Sequence, residues 1–197
     1  MKNIIKFKII FITSVFALTS CNAQQILPLS VSDYGAPTNS YFKDSNNELD
    51  PYVGTWKTDF QGKSITLIIS KELKRPYEAW RKSFFNDVLI AKYEVKDTAG
   101  NSLESTLNNV YTVGSSVKNM IISATINLNS NDEVNLAYAG GNCSVGNGEI
   151  TFKKIDDTHF YWSYSPGTAV MNSVNCPPNL DYTIYLPETE NLVFTKQ

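Results

Sequence analysis

Histidine occurs once in the 197 residues, as His159, and arginine twice, as Arg75 and Arg81. A His-Glu-x-x-His zinc helix is therefore excluded, and the Gly-x-Ser-x-Gly turn of a serine hydrolase is also absent. A nucleic-acid partner would require a basic patch, and the chain offers none. Glycine-rich phosphate loops are missing as well. Gly140-Gly141 and Gly146-Asn147-Gly148 lack the required spacing and suit tight turns instead. No stretch is apolar for the roughly 20 residues that a membrane-spanning helix needs. No cofactor and no metal are expected from this inventory, and the chain reads as non-enzymatic. An enzyme acting on envelope glycans remains only as a remote alternative, because sequence does not reveal which of the scattered carboxylates face one another across the 5–10 Å or so that glycosidases use.

What is present begins at the N-terminus. Lys2, Lys6 and Lys8 form a short basic start, followed by the uncharged run Ile9 to Leu18. As a helix, at 1.5 Å per residue, such a run spans about half of a ~30 Å hydrocarbon core, so it reads as the apolar part of an export signal. It ends in Leu18-Thr19-Ser20-Cys21. This resembles the bacterial lipobox, in which a branched aliphatic residue and two small residues precede a cysteine that receives a diacylglyceryl group. The resemblance implies that residues 1–20 are a lipoprotein signal peptide. Cys21 then becomes the acylated first residue (diacylglyceryl plus a further chain such as palmitate), which stably anchors the protein to the membrane of the cell envelope. No acidic cluster follows Cys21, so an outer-membrane protein facing the periplasm is the expected location.

Without the three signal lysines, 14 of the 17 Lys and Arg face 19 Asp and Glu, a net charge of −5. That describes a mildly acidic chain and little else. With Cys21 assigned to lipid, Cys143 and Cys176 are left as an even pair outside the cytosol, most simply a disulfide. Two free thiols or a metal pair are the alternatives.

Residues 21–50 form the lipidated N-terminus and a polar tether, with Ile26, Leu27 and Leu29 available to dock on the domain. Within it, Asp44-Ser-Asn46-Asn-Glu48-Leu-Asp50 spaces oxygens like half a calcium loop. Leu49 stands where that loop needs glycine, so capping residues in a linker are the better reading. The folded domain is expected over residues 51–197. Gly54 to Phe60 alternates polar with apolar, Gln61-Gly62 is a turn, and Lys63 to Ser70 alternates again, which predicts a hairpin. Residues 71–86 read either as a short helix, from Tyr77, Trp80 and Phe84, or as a twisted strand. Asp87 to Lys96 is a strand, and later ones are expected at 119–128, 133–139, 149–155, 159–165, 182–186 and 192–196. Eight to ten short strands imply an all-β, single antiparallel sheet closed into a barrel, with a β-sandwich as the alternative.

The segment Leu49-Asp-Pro-Tyr-Val-Gly54-Thr-Trp56-Lys57 resembles the opening of lipocalin-like (calycin-type) barrels, whose first strand carries Gly-x-Trp with the tryptophan plugging one end. In lipocalins an arginine near the chain end packs over that tryptophan. Here no arginine follows Arg81, and Lys196 is a poor substitute. The chain as a whole resembles a group of uncharacterised Gram-negative lipoproteins known only as a domain of unknown function. The Leu49–Lys57 segment and Asp87-Val-Leu-Ile-Ala-Lys-Tyr93 carry that resemblance, which brings no activity with it.

Trp56, Phe60, Tyr93, Tyr138, Phe152, Trp162 and Tyr164 fall on faces patterned as buried. They are the candidate wall of a cavity for a small apolar or amphipathic ligand; plain core is the simpler reading. His159, at a strand start after Asp156-Asp157, reads as a surface residue. Two functions follow from the sequence: a membrane-tethered, ligand-binding lipocalin-like domain, or a structural or inhibitory module that contacts another envelope protein.

Overall fold

The computed structural model describes residues 23–113, 117–127, 133–169 and 176–197. Residues 1–20, expected to be a signal peptide, and Cys21 lie outside the described residues. The remainder is all-β, with two single-turn 3-10 segments at Asp50–Tyr52 and Asn142–Ser144. In chain order the strands are β1 (Ile26–Pro28), β2 (Tyr41–Lys43), β3 (Gly54–Phe60), β4 (Lys63–Ala79), β5 (Lys82–Lys96), β6 (Ser102–Ser105), β7 (Ile121–Asn127), β8 (Glu133–Tyr138), β9 (Gly148–Lys154), β10 (His159–Pro166) and β11 (Thr189–Lys196).

Eight of them close on themselves. The order β5-β4-β3-β11-β10-β9-β8-β7 returns to β5 through the pairs Ile90↔Ile122 and Ala91↔Ile121, and every pairing around the ring is antiparallel. This is a barrel and not a sandwich. Alternation places Trp56 on β3, Ile65, Leu67 and Ile69 on β4 and Leu89, Ala91, Tyr93 and Val95 on β5 in one buried cluster. β5 is apolar on both faces at its centre because Val88 and Ile90 pack outward against Tyr111, in a second small cluster with Val117, Met120 and Ile122.

Residues 71–86 are strand, not helix. β4 runs nine residues past its predicted end, then Trp80 and Arg81, both in the left-handed region (φ 56° and 60°), turn the chain straight into β5 with Ala79 paired to Lys82. Tyr77 and Phe84 sit opposite one another across this hairpin, so their spacing reflects cross-strand pairing and not a helix face. A bulge between Glu72 and Arg75, with Lys74 at φ 53°, twists the ribbon midway.

The stretch expected as a tether is folded onto the barrel from Gln25 onward. β1 and β2 pair in parallel with each other, and β2 pairs in parallel with β5 through Tyr41↔Phe85 and Phe42↔Asn86. Leu29, Ala36, Phe42 and Leu49 are buried in the main core, Leu27 is half-buried and Ile26 is exposed. Two carboxylates hold this segment. Asp87 Oδ1 accepts from the Tyr41 hydroxyl (2.6 Å) and the Lys74 N–H (2.8 Å), while Oδ2 accepts the Asp44 N–H (2.9 Å). Asp44 in turn accepts the Glu48 and Leu49 N–H groups (2.8 and 3.1 Å) and pairs with Lys71 at 2.7 Å. The calcium-like spacing is thus a capping turn.

The strand expected at 182–186 does not form. Asp181 accepts the Thr183 N–H and the Tyr185 hydroxyl, local bonds that compete with a strand ladder. The segment instead reaches β11 across one mouth of the barrel, where the Pro187 carbonyl accepts the Trp162 indole N–H at 2.9 Å.

Candidate functional site

The barrel interior is the first place to look, since an eight-stranded barrel is just wide enough for side chains to fill or for one small ligand. At the end where β3 begins, Tyr52 closes the 3-10 turn and its carbonyl accepts the Trp56 indole N–H at 2.7 Å. Trp56 is 1% exposed, and its ring lies edge-on to Phe160 at 4.7 Å. Lys196 Nζ stands 5.1 Å from the Trp56 ring centroid, so a lysine does take the place that an arginine holds in lipocalins. Its stem crosses Gly54 so closely that a Cβ there would meet Lys196 Cε at 3.0 Å, and Gly54 has φ +137°. Gly-x-Trp is thereby explained locally: the glycine lets the cation pass over the tryptophan.

From Phe160 the rings continue without a break. Phe152 (4.6 Å) and Phe194 (5.4 Å, stacked) flank it, Trp162 touches both, Tyr164 follows at 6.2 Å, then Tyr138 at 5.9 Å and Tyr93 at 6.4 Å. Six of the seven candidate wall residues therefore come together: Trp56, Tyr93, Tyr138, Phe152, Trp162 and Tyr164. They pack on one another, all at 6% exposure or less. Phe60 is only partly buried and packs against this cluster without being part of it. It sits at the end of β3, beside Ile184 and Leu186 in a shallow groove at the opposite mouth.

That mouth carries a polar rim. The Tyr93 hydroxyl donates to Glu104 Oε2 (2.7 Å), Asn119 Nδ2 donates to Glu104 Oε1 (2.8 Å), and the Tyr138 hydroxyl donates to Asn119 Oδ1 (3.1 Å). The Tyr164 hydroxyl donates to the Gly146 carbonyl. Burial pushes the Tyr138 phenol up to about 12, helped by the Glu104 charge, and raises Tyr93 and Tyr164 as well. Phenols so held stay protonated and act as donors, not as bases. Sequence reasoning missed Glu104, which lies outside every expected strand, and Asn119, which opens the strand expected at 119–128, because no motif marks either one.

The disulfide Cys143–Cys176 is formed, with Cα atoms 5.8 Å apart. It ties the 140–146 turns to the chain beyond β10. Gly140 (φ +81°) is required there, since a Cβ would strike the Ser144 backbone at 2.5 Å. His159 sits on the surface turn at the opposite end. Thr158 Oγ1 and both Asp156 oxygens all lie 3.0 Å from the same ring nitrogen, Nδ1. A proton relay needs its two partners on different nitrogens, so this is a turn contact and not a triad. Asp156 is held down at about 2 by the N–H and hydroxyl of Thr158, then by His159. Among the described residues no group of three His, Cys, Asp or Glu side chains is placed to hold a metal ion.

A closed eight-stranded antiparallel barrel, plugged by a tryptophan under a C-terminal cation, belongs to the class that includes lipocalin-like domains. Residues 1–197 match the family described as "Family of unknown function (DUF6705)", and the chain belongs to that family. No curated protein and no solved structure matches it.

Proposed function

We propose that this protein is a lipid-anchored, non-enzymatic module of the cell envelope that works through its outer surface as a structural or protein-contact domain. The observation that carries this reading is the unbroken contact of rings from Trp56 to Tyr93. A small apolar guest would have to displace side chains that already fill that path. The groups with chemical potential are also engaged: Asp44 and Asp87 by backbone donors, Cys143 and Cys176 by each other. The anchor rests on the lipobox-like Leu18–Cys21, and the periplasm-facing outer membrane on the residues after it.

The ligand-binding reading comes second. It is favoured by the barrel class and by the rim of Tyr93, Glu104, Asn119 and Tyr138, a polar collar over an aromatic interior of the kind an amphipathic molecule uses. The two are separated by solvent extraction of protein purified folded from membranes, followed by mass analysis. A surface module yields no stoichiometric small molecule beyond the N-terminal acyl chains. One apolar or amphipathic molecule per barrel would overturn the first reading in favour of the second.

A further inference from the structure

Two aromatic side chains stand out from the fold. Trp80 is 60% exposed and Tyr34 70%. Trp80 lies in the two-residue turn at the far tip of the β4–β5 hairpin, and its ring meets that of Tyr34 edge-on with centroids 5.0 Å apart. Asp33 fixes the pair, accepting the Trp80 indole N–H at 3.0 Å and the Tyr77 hydroxyl at 3.2 Å. The rings are thus presented outward on a preorganised ribbon, with the indole N–H satisfied and the apolar faces in solvent. Such amphipathic aromatics are the side chains that settle at the headgroup level of a bilayer.

The path of the chain says what covers them. Gln24 Nε2 donates to the Asn39 carbonyl at 2.8 Å, and the Asn39 N–H donates to the Ser83 carbonyl at 2.6 Å. Ser83 is two residues from Arg81, so the N-terminal segment enters the domain beside the hairpin tip. Only Asn22 separates Ala23 from Cys21, a reach of at most about 7 Å of extended chain. With residues 25–50 folded onto the barrel, no long tether remains to lift the domain away from the membrane.

We propose that the Trp80–Tyr34 tip is a second contact with the bilayer that carries the Cys21 lipid. This rests on the lipoprotein reading of Cys21. The contact fixes orientation: β5 leads away from the tip, so the Tyr93 rim, eleven residues beyond Lys82, points away from the lipid on the order of 35 Å along the strand. Charges at the tip oppose one another, Arg81 and Lys82 against Asp33 and Glu78, so the contact needs no anionic lipid.

Trp80 is its own reporter, because Trp56 and Trp162, the other two tryptophans, are at most 1% exposed. Mature protein is purified from membranes, the mass of its N-terminal peptide is read for acyl chains, and it is placed in phosphatidylcholine–phosphatidylethanolamine vesicles. The expected result is quenching by headgroup-nitroxide lipid of an emission component that Trp80→Phe removes, together with at least a threefold loss of its quenching by aqueous iodide. Acylated protein whose Trp80 stays open to iodide and untouched by nitroxide lipid overturns the contact while leaving the anchor in place. Protein lacking acyl chains on Cys21 overturns both.

Discussion

Replacing Asp87 with alanine should detach the N-terminal segment from the hairpin. The carboxylate is 2% exposed and accepts three hydrogen bonds, two of them from backbone N–H groups 43 and 13 residues away in sequence. Without it, the buried Asp44 N–H and the partly buried Lys74 N–H lose their acceptor. A stranded buried donor costs about 1–3 kcal/mol, and the Tyr41 hydroxyl, which is half-exposed, can turn to water for less. The sum is about 3 kcal/mol, a large part of the 5–15 kcal/mol or so that holds an ordinary domain together. Asp87→Asn keeps one carbonyl acceptor but aims an NH2 at a donor, and should cost about half as much. Tyr41→Phe removes one bond only and should cost about 1 kcal/mol. Urea unfolding followed by tryptophan emission gives these values, and limited proteolysis reads the release of residues 23–44. If Asp87→Ala loses less than about 1 kcal/mol and the segment stays protected, the clamp is not what holds it.

Reduction of Cys143–Cys176, or the double serine variant, should lower stability by about 2–4 kcal/mol, because the bond closes 33 residues of chain; unfolding with and without reductant reads this. Tyr41, raised to about 12 by burial and by its bond to Asp87, contributes stability that is intact below pH 10 and lost as pH rises through about 12. Tyrosinate absorbance should show this late step, and Tyr41→Phe should remove one phenol from it. Gly54→Ala should destabilise by about 1–3 kcal/mol, since the backbone there has φ +137° and the new Cβ meets Lys196. Lys196→Ala should relieve only the contact part of that loss, as thermal melts of the single and double variants would show.

The barrel was legible wherever one face of a strand is wet. β3, β8, β9 and β10 alternate with period two, and their predicted limits lie within a residue or two of those observed, whereas β4 starts where expected but outruns its predicted end by nine residues. The ambiguity over 71–86 arose from a turn without glycine: Trp80 and Arg81 adopt left-handed backbone that their side chains do not advertise. β1 and β2, three residues each, are too short to show a period, and their polar neighbours hid the buried Phe42 and Asp44. Hence residues 25–50 read as a tether although they belong to the domain. The inner aromatics were legible as a set, but their packing on one another was not, because the cross-strand register that sets Phe160 opposite Phe194 is not written in the alternation of either strand. The Asp44–Asp87 clamp joins residues 43 apart with no motif to mark it. The cation over Trp56 was visible only through the lipocalin resemblance, and Lys196 occupies that place.

The envelope location and the bilayer contact proposed for this protein both depend on its being held at a membrane by its first mature residue. The intact mass of the protein extracted from the envelopes of the cells that make it tests that proposal. The predicted species begins at Cys21, carries a diacylglyceryl group and a further acyl chain, and gains no alkylation until Cys143 and Cys176 are reduced. A chain that begins elsewhere, or one whose Cys21 thiol is free, contradicts the account.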